Sequence, residues 1–148
     1  MTPLIGYNYS SRNIDRMKQA IQTSVVYSIS VAICGTILLL FGAAPIVQFF
    51  IKDPQTVQFG QTFLRIICLA CITTVINFMV ITIFQATGGK RQPIILSLLR
   101  KGTLDVFFMV LFNSIFGIFG IAWATPVADG IAFIISLILI IPYLRNLE

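Results

Sequence analysis

The chain has 148 residues, of which 57% are hydrophobic and 10% charged, with a mean hydropathy of +0.96. Soluble globular chains run at about 45–50% apolar and about 25% charged residues, so this composition describes an integral membrane protein, or a piece of one, and excludes disorder. Ten bases against five acids give a net charge of +5, and the lack of histidine excludes imidazole-ligated zinc and any catalytic dyad or triad built on histidine.

Residues 1–22 read as a cytoplasmic connection in which Ser10 or Ser11 caps a short amphipathic helix carrying Arg12, Asp15, Arg16 and Gln19. They are not read as a secretory signal, because the apolar segment that follows far exceeds the roughly 7–15 residues of a signal core. A membrane-spanning helix needs roughly 20 mostly apolar residues. The 33 uncharged residues between Lys18 and Lys52 hold a first span at about 23–51, with Pro45 expected to kink it or end its regular part. The 24 uncharged residues between Arg65 and Lys90 hold a second, at about 59–87. A third runs from about 93 to 117 with Arg100, Lys101 and Asp105 in its first half. A fourth runs from about 121 to 144, interrupted by Pro126 and Asp129, and Gly117 to Gly120 supply the turn between the last two. The predicted fold is an all-α, polytopic membrane helix bundle with four transmembrane helices. No internal repeat or linker divides it.

Orientation follows from the bases. Arg12, Arg16 and Lys18 precede the first span, Lys90, Arg91, Arg100 and Lys101 cluster at the second-to-third connection, and Arg145 follows the fourth, leaving Lys52 and Arg65 on the other side. Both termini are therefore expected in the cytoplasm. The basicity reads as topology and contact with lipid headgroups, with no nucleic-acid partner implied.

Polar groups within hydrocarbon need a partner or a water-filled cavity, so they are the first candidates for function. At about 100° per residue, Ala70, Thr73, Thr74, Asn77, Ile81 and Gln85 fall within one arc of the second span. That stripe lines a cavity for a polar or cationic ligand, or else supplies hydrogen bonds between helices. Lys101 and Asp105 share a helix face four residues apart and read as a self-paired cluster near the cytoplasmic boundary. Asp129 has no base within four positions; it is a candidate cation or proton site, or a partner for backbone freed by Pro126. Cys68 and Cys71 form a CxxC inside a span, with no second pair, and together with Cys34 they read as small buried thiols rather than a metal or redox site. Trp123 and Tyr143, near opposite ends of the last span, suit the two interfacial belts. No catalytic residue and no metal site is assigned, and an embedded enzyme is the least supported class, since no glutamate precedes Glu148.

Three stretches resemble a known family. TPLIGYNYSSRNIDRMKQA is similar to the cytoplasmic connection of the multidrug and toxic compound extrusion (MATE) transporters, FQATGGKRQPIILSLLRKG to a later connection, and WATPVADGIAFIISLILI to the closing helix. The resemblance implies a twelve-helix transporter of two six-helix lobes that exports organic cations and amphipathic compounds against sodium or proton entry, without any other cofactor. It implies that this chain matches helices nine to twelve of the C-terminal lobe, in the plasma (inner) membrane. Its partners would then be the lipid bilayer, the N-terminal lobe and the first two helices of the C-terminal lobe. In some members the helix matching the second span carries an acidic coupling residue, at or next to the place where Asn77 stands. Serine at position 10 stands where the family usually has glycine.

Two alternatives stay open on the residues alone. One is a four-span, homo-oligomeric small exporter, in which Asp129 would replace the first-span carboxylate that such exporters use. The other is a non-transporting membrane scaffold subunit.

Overall fold

A computed structural model describes residues 1–145, all of whose regular structure is helical. Helix α1 spans Thr2–Ser10 and α2 spans Ile14–Phe50; α3, Pro54–Cys68, and α4, Cys71–Ala86, follow. A continuous helical stretch over residues 92–116 comprises α5 (Gln92–Ser97), a π-helical segment (Leu98–Leu104) and α6 (Asp105–Phe116). Helix α7 spans Ile118–Arg145. Helices α2 and α7 are each long and apolar enough to cross a membrane alone, and the bent pair α3–α4 makes a third candidate span.

The N-terminal connection differs from the expectation. Asn13, not Ser10 or Ser11, caps the helix that carries Asp15 and Arg16, its side chain accepting from the Arg16 amide at 3.3 Å. That helix does not stop before the membrane; it continues as α2 through Pro45 to Phe50. Ser11 instead closes α1, donating its hydroxyl to the carbonyl of Tyr7 at 2.9 Å. Arg12 then takes φ +55°, the left-handed turn that sends the chain from α1 into α2.

At the other end of α2, Asp53 caps α3. Its carboxylate accepts from the Thr56 amide at 2.8 Å and from the Thr56 hydroxyl at 2.6 Å. Those bonds, the side-chain one first, hold the Asp53 carboxyl below its ordinary value of 3.8. The second apolar stretch is bent by 43° between α3 and α4. The Ala70 carbonyl at the break accepts from both the Thr74 amide, at 2.8 Å, and the Thr73 hydroxyl, at 2.9 Å, so the bend leaves that group satisfied.

Burial is uneven, and much of the apolar surface is exposed. The 18-residue apolar window of α2 is only 6% buried, and α6 has no buried residue. The packed core lies where the start of α2 meets α1, the end of α4, α5 and the end of α7; it contains Ile5, Met17, Val80, Phe84, Leu96 and Ile140. There the Tyr143 hydroxyl donates to Thr87 Oγ1 at 2.8 Å and its ring lies 4.9 Å from that of Phe84. The opposite end is held by aromatic contacts of Phe59 and Phe63 with Phe119. Cys34 is exposed and Cys71 half-buried, so of the three thiols only Cys68 is buried as expected; all are free.

Helices α6 and α7 meet most closely at Gly120, where a Cβ would overlap the backbone carbonyl of Phe112. Gly120→Ala is therefore expected to lower stability by about 1–3 kcal/mol, because backbone rather than a flexible side chain must yield. Gly130→Ala, with nothing within 4 Å of the added carbon, should be close to neutral. Thermal unfolding of both variants in one detergent decides. A second expectation concerns the Asp53 cap. Because its carboxyl is lowered on folding, its stabilising effect is complete above the ordinary value of 3.8 and is lost as pH falls through the folded value. Protection of the Thr56 amide, its exchange relative to an unstructured peptide at the same pH, should fall in acid for the native chain, and Asp53→Ala should be little protected at every pH.

Candidate functional site

The π-helical segment positions the site. In an α-helix, at 3.6 residues per turn, positions five apart lie on different faces, whereas i→i+5 hydrogen bonding brings them round together. Arg100 and Asp105 are five apart, and both reach α7. Arg100 Nε lies 3.0 Å from Asp129 Oδ1, and Asp105 Oδ1 accepts from the Thr125 hydroxyl at 3.1 Å. Thr125 and Asp129 are themselves one α-helical turn apart on α7. Wider winding in one helix thus matches regular winding in the other. Lys101 pairs with Asp105 Oδ2 at 3.1 Å, so Asp105 bridges a neighbour on its own helix and a hydroxyl on the next.

Asp129 is 1% exposed and has three polar neighbours. Besides Arg100, the Thr74 hydroxyl donates to its Oδ2, and the Asn77 amide donates to its backbone carbonyl at 3.0 Å. The contact with Arg100 is 3.0 Å long yet poorly aligned for a hydrogen bond, so its attraction is chiefly Coulombic. The guanidinium carbon lies 4.4 Å from the centroid of the Phe78 ring, which offers a second, weaker counter-surface on the exposed side of α4. Arg100 itself is 4% exposed, and its Nη1 has no hydrogen-bond partner among the described residues; neither does the buried Asn77 Oδ1.

Beside this cluster lies a cavity of about 430 Å³ between α2, the α3–α4 bend, the π-helical segment and α7. Its polar wall is formed by Thr36, Thr74, Arg100, Lys101, Thr125 and Asp129, and its apolar wall includes Leu39 and Ile67. The structure separates the stripe expected on the second span. Thr74 and Asn77 meet Asp129, whereas Thr73 donates to the Ala70 carbonyl of its own chain segment. Gln85 is exposed near the end of α4 and takes no part in the cluster.

Two sequence readings change. Asp129 does have a basic partner, supplied by another helix, and its carboxylate contacts Arg100 and Thr74. Arg100 does not belong with the surface bases of the second-to-third connection; it is buried inside the bundle. Sequence reasoning grouped Arg100 with Lys90, Arg91 and Lys101 by position along the chain, and no local pattern in the residues marks it as the base that faces inward.

The MatE family model matches residues 1–111. The chain belongs to the MatE family. It is 33% identical over 148 residues to multidrug export protein MepA of Staphylococcus haemolyticus, a match that takes in 99% of this chain and 32% of that protein. It is 26% identical over 141 residues to multidrug export protein MepA of Staphylococcus aureus, covering 95% of this chain and 31% of that one. Among solved structures, an inward-facing multidrug resistance MATE family transporter of the MOP superfamily matches with a TM-score of 0.90 at 18% identity, over 99% of this chain and 34% of that chain. An outward-facing one matches with a TM-score of 0.89 at 17% identity, over 99% and 33%. The chain thus spans about a third of the length of the relatives it matches. These likenesses and the apolar helices make it an all-α, multi-pass membrane protein with the fold of part of a MATE transporter.

The ion pair gives a direct expectation for stability. Arg100→Met leaves a buried carboxylate without its cation and should lower stability by about 3–5 kcal/mol, whereas the double variant R100M/D129L should recover most of that loss. Unfolding in detergent and alkali-free buffer measures both. Equal losses in the single and double variants would mean that packing, not charge, holds this contact.

Proposed function

We propose that this chain is the closing four-helix portion, helices nine to twelve, of a multidrug efflux transporter that exports organic cations and amphipathic compounds against sodium or proton entry. The observation that supports this most strongly is the likeness over 99% of the chain, in sequence to a multidrug export protein and in fold to inward- and outward-facing transporters alike. A unit similar to both conformations suits a body that moves as one piece while access alternates around it. The reading places the protein in the plasma membrane with both termini cytoplasmic, in keeping with Arg12, Arg16, Lys18, Lys90, Arg91 and Arg145 on that side.

Within this reading, the cavity beside α4 forms part of the wall seen by the compound and the ion. Thr74, which lines it, is the member of the Thr73, Thr74, Asn77 and Gln85 set best placed to meet them, and Asn77 supports it from within the bundle. Asp129 lines the same cavity and is already paired with Arg100.

Two measurements test the proposal. Vesicles containing this chain alone should show no dye efflux under a proton or sodium gradient, whereas a complete transporter that includes it should; robust efflux by the chain alone would instead favour the small homo-oligomeric exporter. In the complete transporter, Thr74→Val should weaken dye binding several-fold while Thr73→Val leaves it unchanged. Equal behaviour of the two would remove this wall from the translocation path.

A further inference from the structure

The CxxC of the second apolar stretch straddles its break. Cys68 is the last residue of α3 and Cys71 the first of α4, and the 43° bend falls between them. With 15 residues in α3 and 16 in α4, the pair sits midway along that candidate span. The turn between them is wound more tightly than an α-helix. The Leu69 amide donates to the Ile66 carbonyl at 3.1 Å and the Ala70 amide to the Ile67 carbonyl at 3.0 Å, each three residues back. In such 3₁₀ winding, side chains three apart eclipse one another. Cys68 and Cys71 are three apart, and the Cys68 thiol lies within hydrogen-bonding range of the Cys71 thiol.

Both thiols are free, and they differ in access. Cys68 is 2% exposed, whereas Cys71 is half-buried and lines the cavity of about 430 Å³ together with Ile67 and Ala70. The pair thus offers one sulfur to the cavity and a second, buried sulfur in contact with the first. Two thiols held together chelate a soft centre, and joining two donors raises affinity about 10²–10⁴-fold over either alone. The surroundings choose among soft centres. A monovalent ion such as Cu(I) or Ag(I) on two thiolates leaves a net negative charge, which is costly within an apolar span. A trivalent organoarsenic centre leaves none.

We propose that Cys68 and Cys71 form a dithiol site for a trivalent organoarsenical, whose adduct staples α3 to α4 across the bend. With phenylarsine oxide, both S–H bonds and the arsenic–oxygen bond break and two arsenic–sulfur bonds form. The oxygen leaves with both protons as one water. Arsenic stays trivalent and neither sulfur is oxidised, so no further reagent takes part and the product is neutral. An apolar cavity of about 150 Å³ accommodates benzene, so the cavity beside Cys71 has room for the aryl ring. Cys34, exposed on α2, is not required. This rests on the geometry of the chain and not on the transport reading; it is tested by binding, without an efflux assay.

The test treats the chain in lipid nanodiscs with phenylarsine oxide and measures its intact mass. The native chain and C34S should each gain one phenylarsine oxide less one water. Dimercaptopropanol should release the group, and mercaptoethanol at equal thiol concentration should not. The concentration for half-saturation should rise at least about 100-fold in C68S and in C71S. No uptake by the native chain, release by the monothiol, dependence on Cys34, or undiminished affinity in either C68S or C71S overturns the proposal. Should a serine variant fail to fold, the alanine variant at that position is measured instead: weakened uptake supports the proposal and undiminished affinity overturns it.

Discussion

A carboxylate buried in a membrane bundle needs a positive charge within reach, and much of this structure arranges that requirement. Asp129 on α7 is tied to Arg100 on the neighbouring helical stretch and to Thr74 and Asn77 on α4, so one side chain and its carbonyl join three helices. Individually, hydrogen bonds between membrane helices contribute only about 0.6 kcal/mol. Their effect here is to set registry: a slide of α7 along the stretch that carries Arg100 separates charge from charge, and a slide of α4 along α7 breaks the Thr74 and Asn77 hydrogen bonds, in a medium with no water to replace either partner. The π-helical segment belongs to the same constraint, since α-helical phase would carry Arg100 or Asp105 away from α7.

Away from that cluster the bundle is held with little burial. Phe41 and Phe49 are each 84% exposed, which would be untenable in water and is ordinary against lipid tails. Close packing gathers instead where α1, the end of α4, α5 and the end of α7 converge, and at the Gly120 crossing of α6 and α7. The exposed faces of α2 and α6 belong to a body that spans a third of its relatives' length. The polar cavity opens between helices from both halves of the chain, next to the most tightly specified contact in the molecule. Stability and any contact with a translocated compound therefore draw on the same few residues.

Parts of this were legible in the residues. The uncharged runs of the first and second spans announced membrane helices without any geometry, and the three motif stretches pointed to the family to which the chain belongs. Thr74 and Asn77 stood out because they are polar and one turn apart on an apolar helix. Other features were not legible for definable reasons. The cap at Asn13 competed with two serines of equal propensity nearby. The 43° bend at Leu69–Ala70 carries no proline or glycine to mark it. The grouping of Gln85 with Thr73 and Thr74 assumed an unbroken helix and a single neighbour for the whole face.

Hydropathy and charge placement are properties of composition along a line, and a bilayer acts on that line directly. The sequence by itself therefore determined that the chain is helical, membrane-embedded and related to a transporter family. Which carboxylate pairs with which base is a relation between residues 29 positions apart, on helices whose phase depends on a π-helical segment. Local periodicity assigned Lys101 to Asp105 correctly, because that pair lies within one helix. It left Asp129 without a partner, because Arg100 reaches it across a helix interface, and only the packing of α4, α7 and the stretch between them decided that this charge is already matched.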